Sequence, residues 1–226
     1  MEARTKEELS VNKSIAVATS TVRWAVAITT SPRPQSYVQE TLRYLHAAGW
    51  DDVCVVDDNG LTGPWRNFLA ALEECIKQRP TRVLVLQDDV QLAVNTRQVL
   101  ESAWPEDADL LSLYCGKSVH DEVAPSSFGW YAVPQWDSCY GALGYAMTRR
   151  AALQILEAGQ QLRVRPRARQ TDLKVAKAAS QRQLHHLICH PSLIRHIGDH
   201  STLPGLRMTE TRQCAVFAED ARKLMP

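Results

Sequence analysis

Two adjacent carboxylates, Asp88 and Asp89, close a run of branched apolar residues, Val83-Leu84-Val85-Leu86-Gln87-Asp88-Asp89-Val90. The run is too short to cross a bilayer and too branched for a comfortable helix, so it predicts a buried parallel strand. Open α/β sheets bind their ligands at the carboxyl ends of such strands. Paired acids there suit a divalent cation and the phosphates that it carries. The alternative is a strand-end turn with two solvated acids, a common use of aspartate. A second acidic pair, Asp57-Asp58, closes Val53-Cys54-Val55-Val56 and is followed by Asn59-Gly60, a strong turn signal.

The elements that must position these acids follow an alternating pattern. Trp24–Thr30 predicts a first strand, stopped by Ser31-Pro32-Arg33-Pro34, with Ser36 capping a helix through His46. The strand ending at Asp57 comes next, then a helix over Trp65 to Lys77 with Phe68, Leu69, Leu72 and Ile76 on one face. This β-α-β-α-β order predicts right-handed crossovers, a mostly parallel central sheet with helices on both faces, and both acidic pairs on one edge. Further on, a helix near Thr96–Ala103, strands at Leu110–Tyr114 and Gly141–Thr148, and helices at Arg150–Glu157 and about 171–182 are expected. Short extended pieces follow at Leu187–Cys189 and Leu193–Gly198, while 115–141 reads as an irregular loop rich in aromatics. The domain expectation is a tail or peripheral helix over 1–22, one α/β domain over 23–206, and a C-terminal extension over 207–226.

The chain has 226 residues, 45% hydrophobic and 23% charged, as in ordinary globular proteins. No apolar stretch approaches the roughly 18–20 residues of a membrane span. The charged start, Met1-Glu2-Ala3-Arg4-Thr5-Lys6, lacks the apolar core of a secretion signal, so a cytoplasmic location is expected. Six cysteines without a C-x-x-C pair predict free thiols. Net charge is +1, but residues 149–182 hold nine Lys and Arg against two acids, a balance of +7. Within that sector Arg163, Arg165, Arg167 and Arg169 alternate along a Pro-containing stretch, which would present repeated guanidinium groups to a polyanion, or form a solvated face. His185, His186 and His190 crowd one segment, but no surrounding motif supports a metal cluster there.

Four segments, in order, carry a family resemblance: Val55-Val56-Asp57-Asp58-Asn59, Gln87-Asp88-Asp89, Gly141–Ala151, and 191–203 (PSLIRHIGDHSTL). Together they resemble the nucleotide-sugar glycosyltransferases of the GT-A fold. They are similar to the inverting branching N-acetylglucosaminyltransferases of the type IV group and to related bacterial and viral enzymes. The last segment is the most specific, being similar to that group's "PSL-x-x-H-x-G-x-x-S-S-L" tail, and the resemblance spans about residues 24–203.

The resemblance implies a GT-A-like, Rossmann-like sheet and Mn²⁺ or Mg²⁺ as cofactor. In the family's D-x-D motif, Asp89 would hold the metal and Asp88 would sit beside the ribose or assist the metal; the motif's first acid is Gln87 here. His196 matches the late histidine that approaches metal and diphosphate, and Asp57 the acid that contacts the nucleoside. Thr29 and Arg33 would lie near the base or diphosphate, and Arg66 or Asn67 near the phosphates at a helix N-terminus. An inverting transfer needs one base to deprotonate the acceptor hydroxyl. The family's "P-x-D" acid matches Asp172 in Gln170-Thr171-Asp172, without the proline; Asp137, beside Trp136 in the aromatic loop, is the alternative base.

If Asp172 is the base, the acceptor passes the arginine strip, where a nucleic-acid backbone would fit. A hydroxymethylated base in viral DNA is then a candidate acceptor, with aromatics such as Trp136 to stack on it, and the host cytoplasm the location. Anionic glycans or small molecules remain alternatives. So do a nucleotidyltransferase, although 29–34 has no glycine for a phosphate loop, and a non-catalytic nucleic-acid-binding module using the arginines alone.

Overall fold

The strands alternate in which face they show, and the two faces collect different helices. The computed structural model describes residues 22–33, 35–60, 62–123, 127, 129–133, 141, 143–162, 171–198, 214 and 216–224. Its order begins β1 (Trp24–Thr30), α1 (Val38–Ala47), β2 (Cys54–Asp57), α2 (Gly63–Lys77), β3 (Arg82–Gln87), β4 (Val90–Leu92), α3 (Thr96–Ser102) and β5 (Leu110–Ser112). It continues with α4 (Lys117–Val123), β6 (Gly129–Ala132), β7 (Gly144–Thr148), α5 (Arg149–Gln161), α6 (Thr171–Gln181), β8 (His186–His190) and β9 (Ile194–His196). A 3₁₀ turn, Ala221–Leu224, closes the described chain.

Seven strands form one sheet in the order β2-β1-β3-β7-β5-β8-β6, and β4 and β9 pair separately. β1 lies between β2 and β3, parallel to both, and β5 is parallel to β8; β7 runs antiparallel to β3 and β5, and β6 to β8. Five of the seven strands therefore share one direction. This is the mostly parallel, Rossmann-like α/β sheet that the sequence predicts.

On β1 and β3 successive side chains point to opposite faces. Val26, Ile28, Leu84 and Leu86 pack with Leu45 of α1, Val99 and Leu100 of α3, the β4–β9 pair and Ala218 and Ala221. Ala25, Ala27, Val83 and Val85 pack on the other face with Trp65, Phe68, Leu69 and Leu72 of α2, Ile155 of α5 and Val175 of α6. Both faces being covered explains why these strands are apolar throughout.

The structure corrects two element readings. α1 begins at Val38 with Tyr37 before it and no side-chain cap, so Ser36 does not cap it. The stretch read as irregular contains α4 and the edge strand β6. The expected C-terminal extension contributes to the core: Phe217 bridges Ser192, Asp220 bridges Val94, and Ala218 and Ala221 are fully buried. No helix among the described residues is long and apolar enough to cross a membrane.

Candidate functional site

The parallel register sets Thr29 beside Gln87, so Thr30 and Asp88, the residue just past β3, meet at the carboxyl edge. Thr30 Oγ1 donates to Asp88 Oδ2 at 2.7 Å. Beyond β1, Arg33 spans both acids: Nη1 donates to Asp89 Oδ2 at 2.7 Å and Nη2 to Asp88 Oδ1. The turn carrying the acids is fastened by Thr41 of α1, whose buried hydroxyl lies 2.9 Å from the Asp88 carbonyl and 3.0 Å from that of Val90.

β4 leaves this turn and pairs with β9, Val90 opposite His196, which brings the histidine to the acids. His196 Nε2 is 3.1 Å from Asp89 Oδ2. The Gly198 N–H donates to His196 Nδ1 at 3.1 Å, so in the neutral ring Nε2 carries the proton and donates to Asp89. The Ile197 N–H donates to the Asp89 carbonyl at 2.9 Å. A Cβ at Gly198 would stand 3.1 Å from both Asp89 Oδ2 and His196 Cε1, so this approach favours glycine.

Asp88 and Asp89 are 1% and 5% exposed. Burial pushes the Asp88 carboxyl above its ordinary value, although the Thr30 hydrogen bond and the Arg33 charge oppose it. At Asp89 burial acts the same way, but the hydrogen bond and charge of His196, with those of Arg33, outweigh it and hold the carboxyl low. Asp89 Oδ1 is buried and has no hydrogen-bond partner among the described residues. Such an orphaned oxygen beside a second carboxylate fits a hard divalent cation. Among the described residues no group of three or more His, Cys, Asp or Glu makes a protein cage for a metal. A cation at Asp89 would therefore complete its shell with phosphate and water oxygens, as Mg²⁺ commonly does.

α1 packs on one face of the sheet and α2 on the other, so the chains leaving β1 and β2 part between these two strands. That is the topological switch point of an open α/β sheet, where a crevice forms. Asp57 lies there, exposed and paired in register with Thr30, its Oδ1 accepting from the Asn59 N–H at 3.1 Å. Asp58 is buried and serves the fold, its Oδ1 accepting from the Thr62 hydroxyl and the Thr62 and Gly63 N–H groups that open α2. Asn67 also serves the fold, its amide nitrogen donating to the carbonyls of Thr30 and Val56, whereas Arg66 is exposed. Thr29 Oγ1 donates to the Leu86 carbonyl; its neighbour Thr30 is the residue that reaches an acid.

Asp172 sits in the first turn of α6, 8% exposed. Its Oδ2 accepts from the Gly141 N–H at 2.7 Å and its Oδ1 from the Leu173 N–H at 3.0 Å. Antiparallel pairing puts Gly144 opposite Leu86, and the Gln87 N–H donates to the Leu143 carbonyl. The lead-in to β7, with Asp172 tied to it, thus lies on the same sheet edge as Asp88 and Asp89.

Trp136, Asp137, Arg163, Arg165, Arg167 and Arg169 lie outside the described residues. The three crowded histidines are taken up separately: His185 by Asp107, His186 by Ser112 at 2.8 Å, and His190 against the His120 ring at 4.9 Å. Thr30, Thr41 and Gly198 are site residues that the sequence reading did not assign. Only Gly198, inside the late histidine segment, carried a local signal.

No family model and no curated protein matches the chain. Among solved structures, A197 from STIV is similar at 12% identity, over 77% of this chain and 86% of that one, with a TM-score of 0.48. The CTP:phosphocholine cytidylyltransferase LicC from Streptococcus pneumoniae is similar at 10% identity, over 78% and 94%, with a TM-score of 0.45. A glycosyltransferase involved in glycosylation of the major capsid of PBCV-1 is similar at 10% identity, over 78% and 94%, with a TM-score of 0.44. At these identities and scores, a functional reading rests on the site itself.

Proposed function

We propose that the chain is a metal-dependent glycosyltransferase that moves a sugar from a nucleotide-sugar donor to an acceptor hydroxyl with inversion. The supporting observation is the buried Asp88–Asp89 pair beside a topological switch point, with Thr30, Arg33 and His196 converging on it and one Asp89 oxygen left unpartnered. Asp89, with Asp88 beside it and His196 Nε2–H donating to it, would hold Mn²⁺ or Mg²⁺, which as a Lewis acid would stabilise charge on the departing diphosphate. Asp57 would meet the nucleoside in the crevice between β1 and β2, and Arg33 would offer its fork to the phosphates. Asp172, on the same edge, would take the proton of the acceptor hydroxyl as that oxygen attacks the anomeric carbon opposite the leaving group.

For the acceptor, the arginine strip before Asp172 favours a polyanion, with hydroxymethylated DNA as the specific candidate.

The test is a thermal-shift and hydrolysis screen of sugar nucleotides with Mn²⁺ or Mg²⁺, comparing wild type with Asp89→Ala. A donor should stabilise the wild type only with metal, and Asp89→Ala should cut its turnover about 10²–10³-fold, as for loss of one charge-stabilising group. A wild type that responds to no donor under any metal would sink the reading.

A further inference from the structure

The position of Arg33 bears on how a cation could reach the acids. Asp88 Oδ1 receives Arg33 Nη2, and Asp88 Oδ2 receives the Thr30 hydroxyl. Asp89 Oδ2 receives both Arg33 Nη1 at 2.7 Å and His196 Nε2 at 3.1 Å. Of the four carboxylate oxygens only Asp89 Oδ1 lacks a donor among the described residues. A divalent cation needs several oxygens and would meet a fixed positive charge already bonded to both acids. Thr30 and His196 are set in β1 and β9 by strand pairing, whereas Arg33 lies beyond the end of β1 and reaches the acids through a long side chain. The Tyr37 ring lies 5.7 Å from the guanidinium carbon, and Arg33 Nε is buried without a partner among the described residues.

We propose that Arg33 is a resident counter-cation of the Asp88–Asp89 pair, which must release both carboxylates before a divalent cation binds. This rests on the reading of that pair as the metal site. With Arg33 in place, each buried carboxylate has a cationic partner and one of their two negative charges is balanced, which lessens the large penalty of leaving them unpaired. With Arg33 displaced, its planar fork stays at the same sheet edge and suits a phosphate group, which it can bind bidentately. Metal and diphosphate then favour each other: the metal drives the arginine off the acids, and the diphosphate gives it a new partner. Metal alone binds weakly because only the fraction of molecules with Arg33 displaced is competent.

The experiment measures Mn²⁺ alone, without nucleotide, by loss of the free-ion electron paramagnetic resonance signal. It compares wild type, Arg33→Gln, Arg33→Lys and the double variant Arg33→Gln/Asp89→Asn. If the displaced arginine is populated at about 10%, Arg33→Gln binds Mn²⁺ about tenfold more tightly than wild type. Arg33→Lys, which keeps the charge but cannot fork across both acids, gains less, and the double variant loses the gain. In EDTA, Arg33→Gln melts below wild type, and Mn²⁺ restores the difference. Equal or weaker Mn²⁺ binding by Arg33→Gln and Arg33→Lys, with wild type binding the ion, overturns the role of Arg33 and leaves the metal site standing. If none of the four binds Mn²⁺, alone or with a donor nucleotide, the metal site itself falls.

Discussion

Thr41 reaches from α1 to the turn between β3 and β4, where its Oγ1 lies 2.9 Å and 3.0 Å from the carbonyls of Asp88 and Val90. The Val90 N–H donates back to the same oxygen at 3.2 Å. A hydroxyl has one proton, so the two carbonyls share it while the N–H uses a lone pair. The residue is fully buried, so no water can replace it without rearrangement. Thr41→Val keeps the shape but leaves those backbone groups unpaired, and should destabilise the protein by about 1–3 kcal/mol in urea unfolding, whereas Thr41→Ser should cost less. Unchanged stability in Thr41→Val would show that the turn holds its form without the clamp. None of this is legible in the sequence, because a helical threonine looks the same whether it faces solvent or a buried turn. Thr29 and Thr30 pose a similar problem. Both stand at a strand exit, and only the register with β3 makes Thr30 the partner of Asp88.

At the scale of elements, β1 and β3 were legible because they are buried on both faces, and β2, at the sheet edge, because its short apolar run ends in acids and a turn. The β4–β9 pair was not, since each strand has three residues and their partnership spans more than a hundred positions of chain. Yet that pair is what delivers His196, whose placement was expected only through the family resemblance. The reversal at β7 was also hidden, because a strand's direction is set by its connections and leaves no local pattern. It matters for Asp172, whose partner Gly141 leads into β7 with φ +115°, a conformation that suits glycine. A Cβ at Gly141 would come within 2.3 Å of the buried Tyr114 ring. Gly141→Ala should therefore destabilise the fold by about 1–3 kcal/mol through strain and crowding and, under the proposed function, lower the transfer rate by shifting Asp172. Full activity with an unshifted melting temperature would separate Gly141 from both roles.

For the whole molecule, the sheet divides the core, and the chain's last described residues close one side of it. Phe217, Ala218 and Ala221 join the cluster shared by α1, α3 and the β4–β9 pair, so the scaffold behind Asp88, Asp89 and His196 is sealed in part by the expected C-terminal extension. The other side of the sheet and its far strands carry a titratable group whose protonation opposes folding. His186, on β8 between β5 and β6, is hydrogen-bonded to Ser112 and set 6.4 Å from the Tyr145 ring. Burial, with the nearby His185 charge, pushes His186 down to about 3. An unfolded histidine titrates near ~6.5, so between that value and the folded one the unfolded chain binds the extra proton. Stability must then rise with pH across this window, and be lost as pH falls below ~6.5, by at most about 1.4 kcal/mol per pH unit from this group. His186→Asn removes the titration and keeps a hydrogen-bonding side chain for Ser112. Urea midpoints measured at pH 7.5 and 5.5 should therefore fall less in His186→Asn than in wild type. Equal losses in the two proteins would mean that the folded chain accepts a proton at His186 as readily as the unfolded one.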